Sequence, residues 1–327
     1  MLEHGGRLHR AAREYGIPLE EWLDLSTGIS PFGWPVPVIP ASAWQRLPED
    51  DGGLIEVAKA YYEAPHVLPV AGSQAAIQAL PWMRPRSRVG ILSPGYAEHA
   101  HAWRGAGHDV DEQPADALLN HAGPWDVVVL IHPNNPGGER FDLRELLRLH
   151  SELSSRGGWL IVDEAFMDAT LQQSLCRYTG RDGLIVLRSA GKFFGLAGAR
   201  AGFVCASSAI VHALQQKLGP WTLSGPTRFV LQHALKDHAW HGQARSRLQS
   251  ESQRLAALLS SHGLHPTAGT AFFQWCKHDD AVAIHRKLAR RGILVRLFDT
   301  PASLRFGLLP DDAAFERLNV ALGEVLG

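Results

Sequence analysis

Ser189-Ala190-Gly191-Lys192-Phe193-Phe194-Gly195-Leu196-Ala197-Gly198-Ala199-Arg200 sets one lysine between a hydroxyl three residues before it and an arginine eight residues after it. Glycine and apolar residues fill the rest, and Lys192 has none of the charged neighbours of a lysine on a solvated face. An apolar setting disfavours the ammonium form and favours the neutral amine, which is the nucleophile. Ser189 and Arg200 together suit a dianionic phosphate, one as hydroxyl donor and one as fixed cation. Read alone, the same stretch also fits a glycine-rich loop with a lysine lying along it. The sequence on either side decides between the two.

Upstream, apolar runs end repeatedly in polar turns. Val67–Ala71 reads as a strand followed by Gly72-Ser73-Gln74 and an apolar helix to about Met83. Arg88–Ser93 reads as a strand ending in Pro94-Gly95-Tyr96, and Asp126–Ile131 as one ending in His132-Pro133-Asn134-Asn135. Asp142 and Glu145 form a capping box for a leucine-bearing helix. Trp159–Val162 runs into Asp163-Glu164-Ala165, and Leu184–Leu187 into Ser189 and Lys192. Continuous apolar strands alternating with helices imply an α/β fold with a mainly parallel sheet covered on both faces. The polar residues gather where the strands end, which is where open α/β sheets bind ligands.

Those strand ends carry the parts of a pyridoxal phosphate (PLP) site. Gly72, Ser73 and Gln74 form a phosphate cup, and Tyr96 offers an aromatic face for the pyridine ring. Asn135 offers an amide to the ring oxygen. Asp163 can hold the pyridine nitrogen protonated, which makes the ring an electron sink. Lys192 forms the covalent link, and Ser189 and Arg200 complete the phosphate contacts.

The remainder bounds the protein class. The chain has 327 residues, enough for two domains, and a formal net charge of -1, which predicts neither nucleic-acid nor membrane attraction. Three distant cysteines, Cys176, Cys205 and Cys276, predict a reducing compartment without disulfides or a zinc site. No apolar run is long enough for a membrane span and none opens the chain as a signal peptide, so a soluble, cytoplasmic protein is expected. A helix is predicted over 7–23, one long helical pattern over 224–262, a strand over 270–275 and a last helix over 312–326. Asp50-Asp51 reads as a solvated turn. Residues 27–40 read as a segment laid over a surface, its own or a partner subunit's. His99, His101, His238 and His241 show no metal-site spacing and read as surface or core histidines.

Asn134-Asn135-Pro136-Gly137-Gly138, Val162-Asp163-Glu164-Ala165-Phe166, Ser189-x-x-Lys192 and Arg200-x-Gly202 resemble, in that order, the motifs of fold-type I PLP enzymes, the aspartate aminotransferase superfamily. The resemblance spans nearly the whole chain. It implies a large domain with a seven-stranded sheet, a small α+β domain, and a homodimer with active sites at its interface. The expected division is an N-terminal segment at 1–40 packing with the small domain and the dimer interface, a PLP-binding domain at 41–220, and a small C-terminal domain at 221–327. The resemblance also implies that Arg305 pairs with the substrate's α-carboxylate.

His4-Gly5-Gly6, Trp22–Gly33 and Leu47–Leu54 look like the threonine-phosphate decarboxylases of cobalamin (vitamin B12) biosynthesis, close relatives of the histidinol-phosphate aminotransferases. This resemblance implies conversion of O-phospho-L-threonine to (R)-1-amino-2-propanol O-2-phosphate. A histidinol-phosphate-type aminotransferase using the same residues is the alternative. His4, with the backbone of Gly5 and Gly6, is the leading candidate for the substrate phosphate, because a glycine pair lets N–H groups approach an anion. A disordered N-terminal His-Gly-Gly is the alternative reading of these residues, and Arg140 is a weaker candidate. Two departures matter. Phe166 and Leu47 stand where many superfamily members carry tyrosine, which leaves Asn135 alone on the ring oxygen and removes a cross-subunit phosphate contact.

Overall fold

The computed structural model describes residues 3–49, 53–120 and 123–327; the Asp50-Asp51 turn lies outside the described residues. The first helix, Leu8–Tyr15, buries Ala11 with Trp22, Ala289 and Leu294. It is shorter than the 7–23 predicted, because Gly16 caps it in the left-handed region (φ 68°) and Pro18 follows. The chain then extends into Leu23–Leu25 (β1).

Seven strands follow: Val67–Val70 (β2), Arg88–Leu92 (β3), Asp109–Gln113 (β4), Val127–Ile131 (β5), Trp159–Asp163 (β6), Leu184–Ser189 (β7) and Gly202–Cys205 (β8). They form one sheet in the order β2-β8-β7-β6-β5-β3-β4. β8 runs antiparallel to both neighbours and the other pairs are parallel, giving the mainly parallel seven-stranded sheet of the fold-type I PLP enzymes. β5 and the apolar part of β7 are buried along their length, as strands covered on both faces must be. Val127, Val129, Ile161 and Ile185 pack with Ile77 and Trp103 in the main core. β4 was not predicted. Its sequence, Asp109-Val110-Asp111-Glu112-Gln113, has one apolar residue, because it is an edge strand paired on one side, and its charges oppose further strand addition.

Ala268–Thr270 (β9), Phe273–Lys277 (β10), Ile293–Phe298 (β11) and Ser303–Gly307 (β12) join β1 in a second sheet, ordered β1-β11-β12-β10-β9. The single strand predicted over 270–275 is two strands with a turn at Ala271-Phe272. The helix predicted over 312–326 is Asp312–Leu326, capped by Asp311. The pattern over 224–262 is two helices, Gly225–Ala234 and His238–Ser261. Asp237 stands at the break. It accepts the Trp240 N–H on Oδ1 (3.0 Å) and the Trp34 indole N–H on Oδ2 (3.1 Å), so it heads the second helix as a cap.

Two compact units result. One takes the N-terminal residues up to Phe32, Pro136–Glu139 and Ala244–Gly327; the other takes Gly33–Asn135 and Arg140–Gln243. The parallel β1–β11 pairing brings the N-terminal strand into the C-terminal sheet.

Candidate active site

In the larger unit, β7 ends at Ser189 and passes into a single helical turn, Ala190–Phe193. Phe193 and Phe194 are fully buried against Trp240 and His241. That packing fixes the loop and leaves half-buried Lys192 as its polar side chain, with Nζ 5.7 Å from the centre of the Phe166 ring. The Phe194 carbonyl accepts the Trp34 N–H (2.9 Å) and ties the loop from outside.

Asp163, the last residue of β6, is 3% exposed. Its Oδ1 accepts the Ala165 N–H (3.0 Å), and its Oδ2 lies 2.9 Å from Nε2 of buried His99. The imidazole aims the carboxylate. Sequence reading left His99 among structural histidines; its spacing three residues after Tyr96, one helical turn, was the available signal. The Tyr96 and His99 rings meet edge to face at 6.1 Å. Burial first, then Glu98 and Asp163, push the Tyr96 phenol up to about 12 against the pull of Arg200. Tyr96 therefore stands in the fields of both Asp163 and Arg200.

Behind this face, the residues next to Asp163 and Ser189 point the other way and meet. Arg188 pairs with Glu164 (2.6 Å) and Asp168 (3.1 Å), all three essentially inaccessible to solvent. Glu164 also accepts from the Ser174 hydroxyl (2.6 Å) and the Leu175 N–H (2.7 Å), and Asp168 from the Tyr61 hydroxyl (2.9 Å). This network locks the ends of β6 and β7 together.

The candidate anion cup at Gly72 is built by close approach of backbone. Gly72 has φ +72°, and a methyl group there would stand 3.0 Å from the Arg200 guanidinium. A methyl group on Gly202 would stand 2.6 Å from the Ser73 nitrogen, and Ser189 is the register partner of Gly202. Arg200 itself takes a left-handed conformation (φ 50°), a cost that the site tolerates to turn the chain back into β8. Ser73, Gln74, Ser189 and Arg200 are thus brought together around Gly72. Asn134 Nδ2 donates to the Pro94 carbonyl (2.9 Å) and its Oδ1 accepts the Asn135 N–H (2.7 Å), which couples the turn bearing Asn135 to the one bearing Tyr96.

In the other unit, buried Arg305 on β12 donates to the Ser26 carbonyl (2.9 Å). Arg296 on β11 is its direct cross-strand partner. Like charges facing across a ladder are unfavourable. Burial first and then Arg296 push Arg305 down to about 9. Burial also lowers Arg296, with Glu3 opposing and Arg7 adding. Asp24 opposes the shift of Arg305, so the two guanidiniums form a cationic surface with acidic groups already beside it. His4, Gly5 and Gly6 join this unit through Ser26. A methyl group on Gly5 would strike the Ser26 carbonyl at 2.1 Å, and the Gly6 N–H donates to Ser26 Oγ (2.7 Å). The Arg296 side chain reaches the Glu3 carbonyl (2.6 Å). Sequence reading missed Arg296, although a cation inside the apolar run Ile293–Phe298 marks it. Arg140 is exposed, next to the buried His132 whose proton affinity it lowers.

Among the described residues there is no cluster of His, Cys, Asp or Glu able to hold a metal ion, the three cysteines are free and buried, and no helix is long and apolar enough to cross a membrane.

The donor set fits PLP. The Gly72 cradle backed by Arg200 suits a phosphate, the buried oriented Asp163 carboxylate suits a protonated ring nitrogen, and Lys192 suits an aldehyde. Residues 55–322 match the family model of aminotransferase class I and II. The chain is 56% identical to the threonine-phosphate decarboxylase of Pseudomonas aeruginosa over 98% of its own length and 97% of that protein's. It is 40% identical to that of a Sinorhizobium species, over 99% and 98%. The structure of histidinol-phosphate aminotransferase from Sinorhizobium meliloti in complex with PLP superposes with a TM-score of 0.83 at 20% identity, over 99% of this chain and 95% of that one, a likeness of fold. The chain belongs to the aminotransferase class I and II family and is a PLP-dependent enzyme.

Proposed function

We propose that the chain decarboxylates O-phospho-L-threonine to (R)-1-amino-2-propanol O-2-phosphate, a step of cobalamin biosynthesis. Its full-length likeness to the Pseudomonas aeruginosa decarboxylase carries this reading. The facing arginines Arg296 and Arg305 support it, because the substrate brings two anionic groups, a carboxylate and a phosphate.

PLP, when bound, supplies an electron sink for the bond that breaks at the substrate's α-carbon. Lys192 would hold the cofactor, and its free amine would carry the proton that is returned to the substrate's α-carbon. Asp163, aimed by His99, keeps the proton on the ring nitrogen. Tyr96 would offer its aromatic face to the ring, and Asn135 would offer an amide donor to the ring oxygen. Gly72, Ser73, Gln74, Ser189 and Arg200 hold the cofactor phosphate. Arg305 takes the substrate carboxylate and sets the bond to be broken. Arg296, His4 and the Gly5 N–H take the substrate phosphate; the Gly6 N–H is already engaged by Ser26.

The same reading includes a homodimer in the cytoplasm. Val36, Val38, Trp44 and Leu47 are 49%, 94%, 68% and 67% exposed, which leaves apolar area on the 27–47 stretch that a second copy would cover.

The test is a product assay with O-phospho-L-threonine and PLP. Carbon dioxide and aminopropanol phosphate in equal amounts, with no keto acid required and with no release by K192A, is the expected result. Amino transfer from histidinol phosphate to 2-oxoglutarate without carbon dioxide would replace the reading with an aminotransferase.

A further inference from the structure

The amide of Gln74 sits between an acid and a phenol. Its Nε2 donates to Glu98 Oε2 (2.8 Å), and its Oε1 accepts from the Tyr96 hydroxyl (3.3 Å). Gln78, one turn further along the same helix, donates to the same Glu98 oxygen (3.4 Å). A carboxylate only accepts, so Glu98 dictates which end of each amide faces it. With the nitrogen of Gln74 committed to Glu98, its oxygen must face Tyr96. The phenol, raised to about 12 chiefly by burial, keeps its proton at any working pH and donates it sideways to that oxygen. The Tyr96 ring is thereby pinned at its far end as well as at its backbone. Glu98 and His99 are consecutive at the start of one helix, Glu98–Gly105. One residue thus orders Tyr96, and the next orders Asp163.

We propose that Glu98 is a positioning residue that acts through the Gln74 amide to fix the direction of the Tyr96 hydroxyl and the tilt of its ring. This rests on the reading that Tyr96 covers the cofactor ring. Nothing in the short motifs singles out Glu98, because its effect depends on the meeting of two helices, Ser73–Ala79 and Glu98–Gly105.

Apoprotein variants titrated with PLP test it, read by dissociation constant and by the visible circular dichroism of the bound cofactor. E98A is expected to weaken PLP binding about tenfold, the effect of about one hydrogen bond, and to shrink the dichroic band. E98Q, whose carbonyl can still accept from Gln74, should stay within about threefold of the parent. The decisive result is the double variant. In a Y96F background, E98A should cost no further affinity, because the group it positions is gone. Full additivity of E98A and Y96F, or wild-type affinity and dichroism in E98A, would overturn the proposal. Y96A separates this from the underlying reading: unchanged PLP affinity and dichroism in Y96A would remove Tyr96 from the cofactor altogether.

Discussion

His99 Nε2 lies 2.9 Å from Asp163 Oδ2, and neither side chain is more than 4% exposed. The contact gives the carboxylate a fixed direction in a place where water cannot supply one. Losing a charge-assisted hydrogen bond of this kind costs about 1.5–3 kcal/mol. H99A should therefore turn over about ten- to a hundredfold more slowly while keeping the Lys192-linked absorbance of bound PLP. Steady-state kinetics with full-rate turnover in H99A would show that Asp163 needs no help.

Arg296 faces Arg305 across the β11–β12 ladder, and the two roles assigned to them differ. R296M should raise KM for O-phospho-L-threonine by about tenfold or more, in line with a lost charge-assisted contact, and change kcat little. R305M should lower kcat as well, since the role proposed for that arginine is to set the bond to be broken. Equal changes in both constants from both variants would contradict the division.

Arg188 is held charged despite burial, by Asp168 above all, with Glu164 also contributing. Removing one member of such a network strands the others. R188M should destabilise the protein by about 3–5 kcal/mol, measured by denaturant unfolding. E164Q and D168N introduced together with R188M should recover part of that loss, because no charge then remains buried alone. A mild R188M phenotype would mean that the network is not strongly coupled to stability.

Burial, with Arg140 adding, pushes His132 down to about 4. The unfolded chain takes up this proton near pH 6.5 and the folded chain only near 4. Protonation therefore favours unfolding, and stability falls as pH drops through that window, by about 3 kcal/mol when complete. Unfolding free energies of the parent and H132N at pH 7 and pH 4 should differ in slope, with the flatter profile in H132N.

The exposed apolar side chains at Val38 and Trp44 give the dimer a simple test. Sedimentation velocity should find the parent as a dimer and V38E/W44E shifted towards monomer, because burying an unpaired charge at an interface opposes association. A parent that sediments as a monomer at micromolar concentration removes the dimer from the reading.

What could be read from the residues was whatever is encoded locally. β5, β6 and β7 announce themselves as unbroken apolar runs, with Asp163 closing β6 and Lys192 in the helical turn that follows β7. Pairings set by strand register or helix meetings were hidden. Arg296 and Arg305 face each other only because β11 and β12 align as they do. His99 reaches Asp163 across 64 positions of sequence. β4 escaped because an edge strand need not be apolar. The limits drawn at residues 40 and 220 differ from the compact units, which run to Phe32 and Gln243. The helix Gly225–Ala234 stays with the larger unit because its first glycine abuts the Ala43 carbonyl, where a methyl group would clash at 2.1 Å.

The alignment of Leu23 with Ile293 has a consequence for the chain as it is made. Translation delivers the segment carrying His4, Ser26 and β1 long before its hydrogen-bonding partner strand, β11. The wall of arginines and the His4 region cannot assemble on a nascent chain shorter than residue 293. Contacts this distant in sequence also form late during refolding, since the entropy of closing so long a loop is lost before the strands repay it. Recovery of the proposed phosphate contacts should thus trail recovery of the central sheet, and the order of those two signals in a refolding experiment is set by topology alone.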